Sequence, residues 1–523
     1  MSDAESVLSA PRLRIAPAPS GLLHIGNVRT ALYNWLYARR HGGVFLVRIE
    51  DTDASRVTDE LVEATVGALR WVGLDWDEGP EVGGPYGPYR QSHRSALYDA
   101  VASRLRATGD AYLCYCTPEE LEERRALARS EGRPPVYDGR CLDLSADDVA
   151  RFEAEARQPT LRVRTPEAGE VTVSDLVRDV VTFDWAQIGD FVVRRGDGST
   201  TYPLANAIDD VAQGISLVSR GEDLLSVTPR QLHLYELLDH GGVIDEALAE
   251  AGLAPREPSW QPPAVFAHLP LIVGADRRPL SKRDGSVSVQ DFAREGYLPD
   301  TLLNYIALLG WSPGGGRERM SLNEMVEAFE FSSVGRTPAA FDRDKLAAFN
   351  GERIRALPPV ELAQRLVPFL DGTFGDAIVT APPTEDELAL LEGLVPLVHE
   401  RMQRLDEVGQ YARFLFAEDL AIEPDAVGAV LQKAGAREVL LAAQAALAAL
   451  GEWTTEAIEA ALRALPAELG MGAKKVFQPV RVAVTGTTVS PPLFESLALL
   501  PRERVLERIA AAVPLAAGRE DEL

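Results

Sequence analysis

The chain predicts an α/β half built on a parallel sheet and interrupted by an inserted α+β domain, followed by an all-α C-terminal half. Three observations lead there. A βαβ pattern opens the chain between Leu13 and Asp53, a mixed pattern of helices and short strands runs from about Leu97 to Thr200 before sheet-like runs resume, and from Asp300 onward the apolar spacing is almost entirely helical. A length of 523 residues calls for several domains, since single cores stop growing near about 250–300 residues.

In the βαβ unit, Leu13 to Ala16 is a short extended run, broken by Pro17, Pro19 and the loop to Gly21. Ile25, Val28, Leu32, Trp35 and Leu36 then recur at helical spacing, so a helix with one buried face starts near His24. After Gly42-Gly43 the run Val44 to Ile49 is a second strand, ending in Glu50-Asp51-Thr52-Asp53. Loops at the carboxyl ends of parallel strands, facing a helix N-terminus with free N–H groups, are where such sheets bind nucleotides. His24 and Gly26 sit where a phosphate and a base would approach.

Asp59 to Trp71 is helical by period and stops at Gly73, and the Gly/Pro-rich LDWDEGPEVGGPYGPYRQSHR after it cannot be regular structure. LRVRTP and DFVVRRGDGSTTY supply short strands within the insertion. The sheet resumes around TYPLANAIDDVAQGISLV, whose apolar ISLV reads as a buried strand ending at Arg220-Gly221, with a helix over Pro229 to Leu238. A strand over Leu269 to Val273 leads into the polar turn Gly274 to Gly285. TLLNYIALLGW, LNEMVEAF, VELAQRLVPFL and the Ala/Leu-rich Glu438 to Leu450 are helical, without a fixed repeat.

Hydrophobic content of 46% with 25% charged residues is ordinary for a soluble globular protein, so a core forms without staples. The N-terminus lacks the charged and apolar regions of a signal peptide, and no apolar run approaches the ~18 residues of a membrane span. A cytoplasmic protein with no membrane partner is expected. The net charge of −26 argues in bulk against a nucleic-acid partner, but phosphate contacts need only a local basic track, so the charge excludes no such partner. All three cysteines, Cys114, Cys116 and Cys141, fall in one segment and are too few for a disulfide framework. Thiolates favour zinc, yet zinc wants four ligands and this pattern supplies three; three buried cysteines are the alternative. Tyr137 and Asp143 lie near enough in sequence to serve as a fourth ligand, and the ready ionisation of a carboxylate favours Asp143.

The run PAPSGLLHIGN resembles the HIGH-type signature of class I aminoacyl-tRNA synthetases, and its flanks RTALYNWLYARR and FLVRIEDTD look like the glutamyl branch of that family. Far downstream RPLSKRDG resembles the second signature, the KMSKS-type loop, and AKKVFQPVRVAVTGTTVSPPLFESLALL matches the branch near the C-terminus. The resemblance implies a Rossmann-type catalytic half in two parts (11–97 and 201–257), an inserted acceptor-stem-binding domain (98–200) carrying the cysteines, a stem-contact segment with the KMSKS-type loop (258–345), and a helical anticodon-binding domain (346–523). It implies ATP-dependent attachment of glutamate to tRNA-Glu through a glutamyl-adenylate, with Mg²⁺ accompanying ATP, by a monomer. Glutamyl transfer to a modified tRNA base and a non-catalytic tRNA-binding paralogue are the alternatives; the base-modifying relative lacks a helical C-terminal half, and a glutaminyl enzyme typically ends in β-barrels.

Carried over by position, His24, Gly26 and Lys282 would be catalytic, with Ser281 and Arg283 joining them around ATP. An amino acid with an acidic side chain needs an anion for its ammonium and a cation, preferably a bidentate Arg, for its γ-carboxylate. The resemblance assigns Arg14 and Arg220 to carboxylate and Glu50 to the ammonium, with Tyr202, Asn206, Ala16 and Ala18 lining the pocket. Two departures stand out. Pro279 replaces the first lysine of the KMSKS-type loop, leaving Arg277 or Arg278 to compensate, and Ala18 removes a hydroxyl from the PAPSG loop. The resemblance also implies a structural zinc on Cys114, Cys116 and Cys141 with Asp143 or Tyr137.

Overall fold

The computed structural model describes residues 10–52, 57–263, 265–280 and 287–518. The chain forms two compact units: one runs up to Asp291 and takes in Leu302–Asp342, the other comprises Phe292–Thr301 and everything from Arg343 on.

In the first unit β1 (Arg12–Ile15) pairs in parallel with β2 (Val44–Val47), Leu13 against Phe45 and Arg14 against Leu46, across the helix α1 (Ile25–Arg40). His24 caps α1 rather than joining it, its Nδ1 accepting from the Gly26 N–H at 3.0 Å. Arg39 and Arg40 in the last turn complement the carbonyl end of the helix dipole. Gly43 has a steric reason: a Cβ there would lie 2.0 Å from the Pro11 carbonyl oxygen, the acceptor of the Val44 N–H. The second strand, expected to reach Ile49, ends at Val47, and Ile49 makes only a single bridge with Arg90.

The helix α2 spans Asp59–Trp71 as its period predicts, with Thr58 capping the Leu61 N–H. After α3 (Ser95–Thr108) comes an antiparallel sheet of β3 (Ala111–Cys114), β4 (Thr160–Val163) and, beyond the hairpin β5 (Glu170–Asp175)/β6 (Asp179–Asp184), β7 (Phe191–Arg194). Two helices between β3 and β4, α4 (Pro118–Ser130) and α5 (Ala146–Ala154), each begin with a capping box, on Thr117 and Ser145. The hairpin joins a different sheet: β5 lies parallel to β9 (Val265–Leu269), which is in turn parallel to β8 (Leu217–Gly221). The strand β8 follows α6 (Tyr202–Ala212) and leads to α7 (Thr228–Asp239). It begins beside β1, where the Ser216 N–H donates to the Arg12 carbonyl at 3.1 Å.

The strand expected over Leu269 to Val273 is split. Pro270 has no N–H to continue the ladder, so β9 ends at Leu269 and Ile272–Val273 pairs instead with Ala339–Ala340, a short strand inside the stretch expected to be helical. The second unit is helical among its described residues, with a core of Leu391, Leu394, Val398, Leu440, Leu447, Val480 and Ile509. The helix expected over Glu438 to Leu450 is Ala436–Ala448, set by Gly435 at φ 85° just before it.

Candidate active site

A cleft of about 290 Å³ opens where the carboxyl ends of β1 and β8 meet the N-terminus of α1. Arg14, Ala16, His24, Gly26, Tyr202, Asn206 and Arg220 line it, so residues from both parts of the interrupted sheet converge. Glu50 lies beneath, its Oε1 accepting from Asn206 Nδ2 at 2.6 Å. Ala18 is exposed and does not line the cleft, because the turn after Pro17 carries it towards solvent. Ser281, Lys282 and Arg283 lie outside the described residues; Pro279 and Leu280, which lead into them, line the cleft.

His24 is held for one role. With Nδ1 accepting from Gly26 N–H, the neutral ring carries its proton on Nε2, the nitrogen left to donate. Burial pushes the imidazole below its ordinary range, against the contrary pull of the Leu280 backbone. A Cβ on Gly26 would come to 3.2 Å from that same Nδ1, so a larger residue would crowd the ring and fill the mouth of the anion-attracting helix end.

The floor is a buried charge network. Arg14 meets Asp210 through Nε (3.1 Å) and Nη2 (3.2 Å). Arg48 reaches Asp210 at 2.8 Å and Glu50 at 3.4 Å. Asp209 accepts from Arg94 (2.6 Å), Gln91 (2.9 Å) and Tyr98 (2.8 Å), and Asp210 also accepts from Gln231 and Tyr235. Arg14, Arg48 and Arg94 thus face Glu50, Asp209 and Asp210, charge for charge. Burial alone would raise the Asp210 carboxyl, but Arg14 and Arg48 outweigh it and hold the group at about 2. For Glu50 burial wins and its pKa is raised, Arg48 and Arg14 notwithstanding. Tyr202 is likewise pushed up by burial, so its hydroxyl stays protonated as a donor.

Arg220 differs from Arg14. Its Nη2 donates to Thr228 Oγ1 at 2.9 Å and its Nε to His268 Nε2 at 3.2 Å, while Nη1 is buried without a partner among the described residues. Arg29, also on the cleft, gives both terminal nitrogens to the Leu309 and Pro270 carbonyls. Arg220 therefore offers a charged terminal N–H to whatever enters, whereas Arg14 already has a carboxylate.

Sequence reasoning missed Arg48, Asp209, Asp210, Gln231 and His268. A signal existed: Asp209-Asp210 sits in the largely apolar run LANAIDDVA, which the structure buries throughout, and carboxylates in such a run are paired.

The cysteines gather as the sequence suggests. Cys114, Cys116 and Cys141 place their sulfurs within 4.8 Å of one another, Cys116 and Cys141 at 3.6 Å. Tetrahedral zinc with Zn–S of ~2.3 Å would hold sulfurs about 3.8 Å apart, so the spacing fits. The preference for Asp143 is corrected: Asp143 is exposed and outside the group. Tyr137 stands there instead, its hydroxyl 3.5 Å from Cys114 Sγ and 3.8 Å from Cys116 Sγ, accepting from the Cys141 N–H at 2.9 Å. Burial raises the phenol pKa.

A split parallel sheet with a helix N-terminus over the cleft, together with a second, helical unit, defines the architecture of a class I aminoacyl-tRNA synthetase. The family model for class I tRNA synthetases (E and Q), catalytic domain, matches residues 11–242 and 259–348, and that for an anticodon binding domain matches 361–513. The chain is 47% identical over 506 residues to a glutamate–tRNA ligase of Saccharopolyspora erythraea, covering 96% of each, and 41% identical over 501 residues to one of Moorella thermoacetica, covering 96% of this chain and 97% of that one. A crystal structure of a glutamate tRNA ligase from Elizabethkingia meningosepticum in complex with its amino acid superposes with a TM-score of 0.75 at 29% identity, covering 97% of this chain and 99% of the other. The chain belongs to the glutamate–tRNA ligase family.

Proposed function

We propose that the chain attaches glutamate to tRNA-Glu at the expense of ATP. The observation that carries this is Arg220 Nη1, a buried unpaired cationic N–H on a cleft that also holds the His24–Gly26 helix end. An amino acid with a side-chain carboxylate would satisfy that nitrogen, while its ammonium sits towards Glu50, kept near by Asn206 and Arg48. Tyr202 closes the pocket wall. ATP, bound with Mg²⁺, would lay its adenine against the bare backbone of Gly26 and its phosphates towards His24 Nε2–H and the α1 N-terminus.

The glutamate α-carboxylate attacks the ATP α-phosphorus, the bond to the bridging oxygen breaks, and pyrophosphate leaves. A hydroxyl of the terminal tRNA ribose then attacks the acyl carbon, and AMP leaves. Nothing on the protein becomes covalently bonded; positioning and charge stabilisation carry the acceleration. Ser281, Lys282 and Arg283 would stabilise the departing pyrophosphate, and the segment matching an anticodon binding domain would select the tRNA. Cys114, Cys116, Cys141 and Tyr137 would hold a structural zinc that braces the loop between β3 and β4. The chain would act in the cytoplasm, where its tRNA is charged. Among the described residues no helix is long and apolar enough to cross a membrane.

The test is aminoacylation with glutamate and glutamine side by side, on separate tRNA-Glu and tRNA-Gln. Glutamate on tRNA-Glu should be the productive pair. A chain that charges neither tRNA but transfers glutamate onto a modified base would overturn the assignment.

A further inference from the structure

Arg220 is a flexible side chain on which glutamate selection is proposed to rest, and the structure clamps it from behind. His268 on β9 stands across the ladder from Arg220 on β8, the two being register partners. Its Nδ1 lies 2.6 Å from Asp175 Oδ2 on β5, and the His268 backbone N–H donates to the same carboxylate at 3.0 Å. A carboxylate only accepts, so Nδ1 carries the proton and Nε2 is left as an acceptor. That acceptor receives the Arg220 Nε–H at 3.2 Å and lies 3.0 Å from Thr228 Oγ1, which in turn takes the Arg220 Nη2–H at 2.9 Å. Two of the three guanidinium nitrogens are thereby tied down, which leaves Nη1 for the cleft. All four residues are buried.

We infer that His268 is a positioning residue for substrate recognition: in its neutral form, oriented by Asp175, it aims the Arg220 guanidinium at the glutamate side-chain carboxylate, and a proton on Nε2 would undo the aim. This rests on the function proposed above. Protonation would set an N–H against the N–H of Arg220 and a cation against a cation, where the neutral ring offers a lone pair. The charged groups around the ring are Asp175 and Arg178 from β5 and its turn, and Arg220 and Glu222 from β8 and the turn after it; Glu222 pairs with Arg178, and Thr228 and the stacked Phe266 ring carry no charge. Burial and the neighbouring arginines keep the ring neutral at physiological pH, Asp175 pulling the other way.

Because burial lowers the ring's pKa, the expected signature is a rise in KM for glutamate confined to pH below the ordinary imidazole value of about 6.5, read down to about pH 5.5, with KM for ATP and kcat changing less. Glutamate itself does not titrate in that window. Full-length enzyme is assayed by tRNA-Glu aminoacylation at saturating ATP. His268→Gln keeps an acceptor for Arg220 but has no proton to gain, so its glutamate KM should be flat with pH. His268→Leu and Thr228→Val should each raise that KM by about tenfold, the usual effect of losing a hydrogen bond to a charged group, with the KM for ATP unchanged. A wild-type glutamate KM that is flat with pH overturns the inference without any variant. A low-pH rise that persists in His268→Gln overturns it too, since Glu50 would then be its source. Wild-type enzyme that charges no tRNA with glutamate overturns the functional assignment instead.

Discussion

Replacing Arg220 by Met tests the proposed recognition directly, and the structure sets the size of the effect. The substitution removes the guanidinium while keeping most of its apolar bulk. It orphans little: Thr228 Oγ1 and His268 Nε2 remain 3.0 Å apart and satisfy one another, and Nη1 has no protein partner to lose among the described residues. The fold should therefore survive, with a melting temperature close to wild type. Binding should not. A glutamate carboxylate entering the mutant cleft would be desolvated without its charged partner, a loss of ~2–5 kcal/mol when one member of a buried pair is truncated. At about 1.4 kcal/mol per decade, kcat/KM for glutamate should fall by roughly 30- to 3,000-fold. The assay is aminoacylation of tRNA-Glu over a glutamate titration, with ATP varied in parallel. The KM for ATP should stay within about twofold, since Arg220 lies on the amino-acid side of the proposed arrangement. A glutamate KM within about twofold of wild type would refute the role of Arg220, and an equal loss for ATP would point to a general folding defect.

Three further outcomes are expected from the same geometry. His24→Ala should lower kcat by roughly a hundredfold while changing the KM for ATP far less, because a donor to charge that grows in the transition state is lost; steady-state kinetics with varied ATP checks this. Purified protein should contain about one equivalent of zinc by elemental analysis, abolished in Cys116→Ser and retained in Asp143→Ala, with chelation impairing tRNA charging more than ATP binding. Asp210 titrates at about 2 in the folded protein, below the ordinary carboxyl value of 3.8. A depressed carboxyl pKa stabilises the fold above the unfolded value and loses that contribution as pH falls, so roughly 2 kcal/mol should disappear between about pH 4 and pH 2; urea unfolding at the two ends of that window measures it.

The elements were legible wherever short-range pattern decides them. The period of Asp59–Trp71 returned a helix with those bounds, one buried face and a capping residue sufficing, and the spacing from Ile25 to Leu36 returned one that starts at Ile25; α1, however, runs on to Arg40 and is buried on every side from Val28 to Ala38, not on the single face expected. The cleft residues His24 and Gly26 were legible through their motif, and the cysteines through their confinement to one segment. Long-range partners were not. Pro270 ends β9, but that Ile272–Val273 then pairs with Ala339–Ala340 depends on a partner almost seventy residues away. Tyr137 displaces Asp143 beside the sulfurs because the Cys141 N–H fixes the phenol, a contact that carboxylate chemistry alone cannot foresee.

The same limit explains why the charge network stayed hidden while its outcome did not. Asp209 and Asp210 are adjacent, and consecutive helical residues point about 100° apart. One therefore turns to Gln91, Arg94 and Tyr98, and the other to Arg14, Arg48, Gln231 and Tyr235. The first clamps the entry to the inserted segment, and the second neutralises the strand pair under the cleft. Buried charges without partners are costly, so the fold answers Arg14 and Arg48 with its own carboxylates. Arg220 is backed instead by the neutral pair His268 and Thr228. Its positive charge is left open to a carboxylate substrate, and under the proposed function glutamate binding would also relieve a buried, incompletely bonded cation.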